Sequence, residues 1–129
     1  MANESSENLW VVAVSIEIPR NQSPTFENAL EVNGLRALLS PMHEFSWASK
    51  ELSALMRKTY GQPSSYDPDS GDGRHRVLME FIGHELPKQT MLISETSYDL
   101  NSFDILIGRK HLKRWKVEFD HGQIRVSLR

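Results

Sequence analysis

The sequence predicts an all-β fold, mainly antiparallel, with two short helices packed against a small closed or sandwiched sheet. Three features of the 129-residue chain lead there. Apolar residues alternate with a period of two in several segments. Turn-forming Gly, Asn and Pro punctuate those segments. The helical stretches are few and do not alternate regularly with strands, which argues against a parallel βαβ architecture.

Taken in order, Trp10, Val12, Val14, Ile16 and Ile18 alternate with Ala13, Ser15 and Glu17, the pattern of a half-buried strand that Pro19 stops. Arg20–Asn28 is a polar connection. Ala29–Val32 and Leu35–Leu39 flank Asn33-Gly34, which predicts a hairpin because both turn residues tolerate positive φ. Ser49 caps a helix whose stripe is Leu52, Leu55, Met56 and Tyr60, and Gly61 ends it. Gln62–Gly73, rich in Pro, Ser, Asp and Gly, reads as a mobile loop. Arg76–Ile82 and Thr90–Glu95 are strands, and Phe103–Ile107 is an apolar run suited to a fully buried one. Gly108 leads into a short helix carrying Leu112 and Trp115. The last pair is a hairpin: Val117 and Phe119, a turn at Gly122, then Ile124, Val126 and Leu128.

Composition narrows the chemistry. The chain has 39% hydrophobic and 25% charged residues, as ordinary globular domains do, so a packed core is expected. Its length suits one domain, residues 9–129, behind a polar tail over residues 1–8 whose start is unlike a signal peptide. No cysteine is present, which removes disulfides, thiolate catalysis and cysteine-held zinc, and fits a cytoplasmic or nuclear setting. A net charge of −2 gives no general attraction to nucleic acid or to an anionic membrane. His43, His75, His84, His111 and His121 show no pair at metal-ligand spacing, and each reads as a surface or turn residue. No cofactor or metal is expected.

Two segments resemble the retropepsin family, especially its cellular branch related to the DNA-damage-inducible proteins. The first is Val32-Asn33-Gly34-Leu35-Arg36-Ala37-Leu38-Leu39-Ser40-Pro41-Met42, followed by Phe45–Leu52. The second is Phe103-Asp104-Ile105-Leu106-Ile107-Gly108-Arg109-Lys110-His111-Leu112, which is similar to the family's apolar-apolar-Gly motif and following helix. The resemblance covers Leu9 to Leu128 and implies a small acid-protease barrel whose subunits pair through terminal strands. It also implies an Asp-Thr/Ser-Gly triplet where this chain has Ser40-Pro41-Met42. Proteolysis of that kind needs two carboxyl groups sharing a proton. Serine cannot share one, Pro41 removes an N–H, and Met42 replaces a permissive glycine. The expectation is therefore a pseudoprotease of retroelement descent, a scaffold that binds itself or another protein.

Other readings attach to particular residues. Val12, Val14 and Ile16 on one strand and Ile124, Val126 and Leu128 on another are the expected interface strands. A groove bordered by His43, Phe45 and Tyr66 could hold an extended peptide. Asp69-Ser70-Gly71 spells the protease triplet but sits among turn formers, and the same stretch lacks the glycine and distal acid of a calcium loop. Ser40 with His43 invites a nucleophile–base pair. Residues three apart on a turn are not expected to reach that geometry, and no G-x-S-x-G elbow surrounds them. Arg109–Arg114 is a basic cluster that would serve RNA only if aromatics beside it were exposed; Trp115 reads as core instead.

Overall fold

The structure, a computed structural model, describes residues 10–96, 100 and 102–129. The expected tail over residues 1–8 lies outside them. In chain order the elements are β1 (Val11–Ile18), β2 (Leu30–Ser40), β3 (Trp47–Ala48), α1 (Lys50–Tyr60), β4 (Ser65–Tyr66), β5 (Gly73–Phe81), β6 (Gln89–Ser94), β7 (Ile105–Gly108), α2 (Arg109–Leu112), β8 (Trp115–Asp120) and β9 (Gln123–Leu128). The fold is all-β with two short helices, as the alternation predicts.

Seven strands form one sheet in the order β1-β2-β7-β3-β6-β5-β4, and β1 also pairs with β5. The sheet thus curls into a ring, thin at the two-residue β3, with β4 hanging from β5. The β2–β7 and β3–β6 pairings are parallel and the others antiparallel. Alternation along β1 and β5 sends Val12, Val14, Ile16, Val77, Met79 and Phe81 inward, where they meet Ile93, Ile105, Ile107 and the helix residue Met56.

Asn33-Gly34 is not a hairpin turn. Leu30–Ser40 is one continuous strand, and its register against β1 slips between Val14↔Leu35 and Ile16↔Val32. Two residues there oppose Ser15 alone, a β-bulge with Gly34 at φ +72°. The same tolerance of positive φ serves a bulge as well as a turn.

Helix α1 forms where predicted. The Ser49 hydroxyl accepts from the Leu52 N–H at 3.2 Å, Glu51 sits in the first turn, and Arg57 and Lys58 in the last. Caps of this kind contribute about 1 kcal/mol. The loop expected over Gln62–Gly73 is instead a hairpin of β4 with β5. Its turn is held by Asp67, whose carboxylate accepts from the Asp69 and Ser70 N–H groups at 2.9 Å each.

Trp115 opens β8 rather than ending α2. It is 2% exposed, meets Phe81 edge-on at 5.0 Å, and donates its indole N–H to Gln89 at 3.0 Å. The β8–β9 hairpin forms a separate two-stranded sheet. It is tied to the barrel by this tryptophan and by the Val126 N–H, which donates to His84 Nδ1 at 3.0 Å. Burial lowers the pKa of His84, which keeps that nitrogen an acceptor.

Candidate functional site

The two segments that carry the family resemblance end side by side. Parallel pairing of β2 with β7 sets Ser40 opposite Gly108, and the loop 41–46 folds over the pair. The contact is close: a Cβ on Gly108 would lie 2.2 Å from the Phe45 carbonyl oxygen. Glycine is required because the backbone of the loop occupies that space. The His43 and Glu44 carbonyls accept from the Arg109 and Lys110 N–H groups at 2.7 and 3.1 Å, so the loop and α2 share backbone hydrogen bonds.

Two serine–histidine pairs occupy this junction. Ser40, 8% exposed, has its Oγ 2.7 Å from His43 Nδ1, so the three-residue spacing does reach hydrogen-bond geometry, contrary to expectation. Pro41 and Met42 project outward, Met42 being 86% exposed. Ser46 Oγ lies 2.6 Å from His111 Nδ1 and accepts the Gly108 N–H at 3.0 Å. Ser46 Oγ thus joins the Gly108 N–H and His111 Nδ1 in one buried network, and the tautomer of the ring decides which partner donates in the serine–histidine bond. Burial, and after it the charge of Arg114, push His111 down to about 4.

Chemically, an Oγ–imidazole pair at 2.7 Å has the spacing of a nucleophile and its base. Acyl transfer also needs N–H donors aimed at an oxyanion. Here the His43 N–H is given to the Ser40 carbonyl, and those of Gly108, Arg109 and Lys110 are given to Ser46 and the loop carbonyls. Glu44, the acid of the loop, faces Arg109 at 3.3 Å and Lys110 at 3.8 Å rather than either serine.

The remaining expected site residues fall in different places. Phe45 and Tyr66 do not border one groove. Tyr66 lines an open cavity of about 390 Å³ between α1 and the β4–β5 turn. Phe45 lines one of about 160 Å³ beside α2. His43 is exposed and lines neither. Val12, Val14 and Ile16 are core residues, and β1 is bonded to β2 on one side and to β5 on the other, so it is not a free edge. Val126 is buried and Ile124 partly so, while Leu128 is 58% exposed. Asp69-Ser70-Gly71 forms the exposed turn over Asp67.

Two buried histidines were misread as surface residues. His75 is 1% exposed and bonds Glu95 Oε2 at 2.9 Å, and Arg57 grips the same carboxylate from α1 at 2.8 and 3.0 Å. Burial would raise the Glu95 carboxyl, but the hydrogen bonds from Arg57 and His75 outweigh it and hold its pKa low. His75 shares the inward parity of Val77, Met79 and Phe81, a signal present in the sequence. Among the described residues, no group of three His, Asp or Glu could hold a metal ion.

Comparison with protein-family models, curated proteins and solved structures finds no match to this chain.

Proposed function

We propose that the chain is a non-catalytic, retropepsin-like barrel that acts as a protein-interaction module, pairing with a second copy through its C-terminal hairpin. One observation carries the reading. The β1–β5 closure leaves β1 no free edge, whereas among the described residues β9 pairs only with β8. Because the Val126 N–H points to His84, those of Ile124 and Leu128, of the same parity, point away from β8. Exposed Leu128 and Phe119 stand at the corners of this hairpin, apolar area that a partner strand would cover.

Kinship with the protease family is supported by the meeting of Ser40-Pro41-Met42 with Gly108 at one junction. The inert reading rests on Ser40, whose hydroxyl is held by His43 where the chemistry needs a proton-sharing carboxyl. No helix among the described residues is long and apolar enough to cross a membrane. The cysteine-free composition favours a cytoplasmic or nuclear setting.

Sedimentation across the micromolar range tests the pairing. We expect a dimer that Leu128→Pro converts to monomer, with an unfolding midpoint close to wild type. A wild-type chain that stays monomeric and captures no partner strand sinks the reading. A second reading, an extended peptide laid beside β4, is favoured by the cavity of about 390 Å³ that Tyr66 lines at the sheet's terminal strand. Peptide binding that tracks Tyr66 and ignores Leu128 would select it.

A further inference from the structure

The cavity beside α2 has no part in that reading, and its lining is chemically one-sided. We infer that this cavity of about 160 Å³ binds a phosphate monoester, held by Arg74, Lys110, Arg114 and the ring of His111. Among the described residues three cations line it and no carboxylate does; Phe45 and Leu92 form an apolar wall. An anion there would meet donors from several directions beside a low-dielectric surface, where charge-assisted hydrogen bonds are strongest.

The donors are available. Arg74 Nε is buried with no hydrogen-bond partner among the described residues, although the same guanidinium reaches the Tyr66 carbonyl through Nη2 at 3.2 Å. Leaving a buried guanidinium N–H unmet is costly, and a bound oxyanion removes that cost. Among the described residues Arg114 reaches only the Thr90 carbonyl, at 3.5 Å, the outer limit of a hydrogen bond. Lys110 sits 4.8 Å over the Phe45 ring and only 3.8 Å from Glu44, a loose ion pair that it can share. His111 is the most constrained of the four. Ser46 bonds its Nδ1 and holds the ring where it lines the cavity. Two guanidinium groups favour phosphate over a simple point anion, because their planar forks match its oxygens. Burial keeps His111 neutral, so it adds no further buried charge beside the three cations.

The group could arrive as a free small phosphate or on a phosphorylated side chain of a partner protein. Thermal unfolding of the full chain in phosphate and in chloride at matched ionic strength reads the site directly. A saturable rise in midpoint is expected with phosphate alone, accompanied by a shift of the His111 ring resonances. Arg74→Gln and Arg114→Gln should each weaken the effect about tenfold. Lys113→Gln, an exposed neighbour outside the cavity, should leave it unchanged. The Arg114 variant keeps the test readable if the Arg74 variant fails to fold, since Arg114 lies at the surface. A phosphoserine peptide binding well above inorganic phosphate, with its unphosphorylated form inert, assigns the protein source; equal affinity assigns the free one. An unsaturable response, equal losses in Lys113→Gln and Arg114→Gln, or binding seen only with RNA and falling steeply with salt overturns the assignment. The Leu128→Pro monomer should bind phosphate as wild type does, so failure of the dimer leaves this result standing.

Discussion

Two hydrogen bonds of nearly equal length, Ser40–His43 at 2.7 Å and Ser46–His111 at 2.6 Å, stand at opposite ends of one loop, yet they have different roles. The first joins residues three apart, with its imidazole at the surface. The second joins residues 65 apart and lies wholly inside, with the serine also taking the Gly108 N–H. A hydrogen bond beside water replaces one that water would supply, so its net contribution is small. A buried one has no substitute, and its loss strands two partners at once. The same pair of residue types therefore caps a turn in one place and pins two chain segments together in the other.

The widest break in the comparison should come from Gly108→Ala. Its Cβ would fall on loop backbone, so strand, loop and α2 must separate and both pairs are lost. Chemical denaturation should show a loss on the order of 4 kcal/mol or a chain that does not fold. Next, Ser46→Ala should cost about 2–3 kcal/mol, since it leaves the Gly108 N–H and His111 Nδ1 unmet inside the protein, whereas Ser40→Ala should cost about 1 kcal/mol or less. Equal losses in these two variants would contradict the burial argument.

The most gradual effect is in pH. The folded pKa of His111 lies at about 4, below the ordinary histidine value, so the unfolded chain binds the extra proton first. The contribution of a neutral His111 is complete above the unfolded pKa and is lost as pH falls from about 6.5 toward 4. The loss should be at most about 3 kcal/mol. His111→Gln should flatten stability between those limits, measured by urea midpoints at each pH. Glu95, whose carboxyl is held low by Arg57 and His75, loses its contribution only at more acid pH, so the two windows separate.

Much of this architecture is legible in the chain. Period-two alternation marks β1 and the β8–β9 hairpin, Ser49 and Gly61 mark the ends of α1, and the short apolar run around Ile105–Ile107 marks a fully buried strand. What escapes is pairing between strands that no turn connects. The β2–β7 neighbours are parallel and 68 residues apart at Ala37 and Ile105, and nothing local encodes that register. Asn33-Gly34 was misread because a bulge and a hairpin turn ask for the same backbone. Ser46 and His111 escaped for the first reason, since only the folded ring brings them within reach. The Ser40–His43 pair is local, and a turn of three residues suffices to close it.

Closure of the ring also governs how the molecule must assemble. β1 is the first strand, yet its second partner, β5, lies more than sixty residues along, and β2 waits for β7. Few of these contacts can reward the chain before most of it has collapsed, so loop-closing entropy is met early and returned late. Folding should therefore be slow and concerted, on the order of milliseconds to seconds. While it emerges from a ribosome, the apolar face of β1 remains without its final neighbour, and chaperone contact would be most useful in that interval.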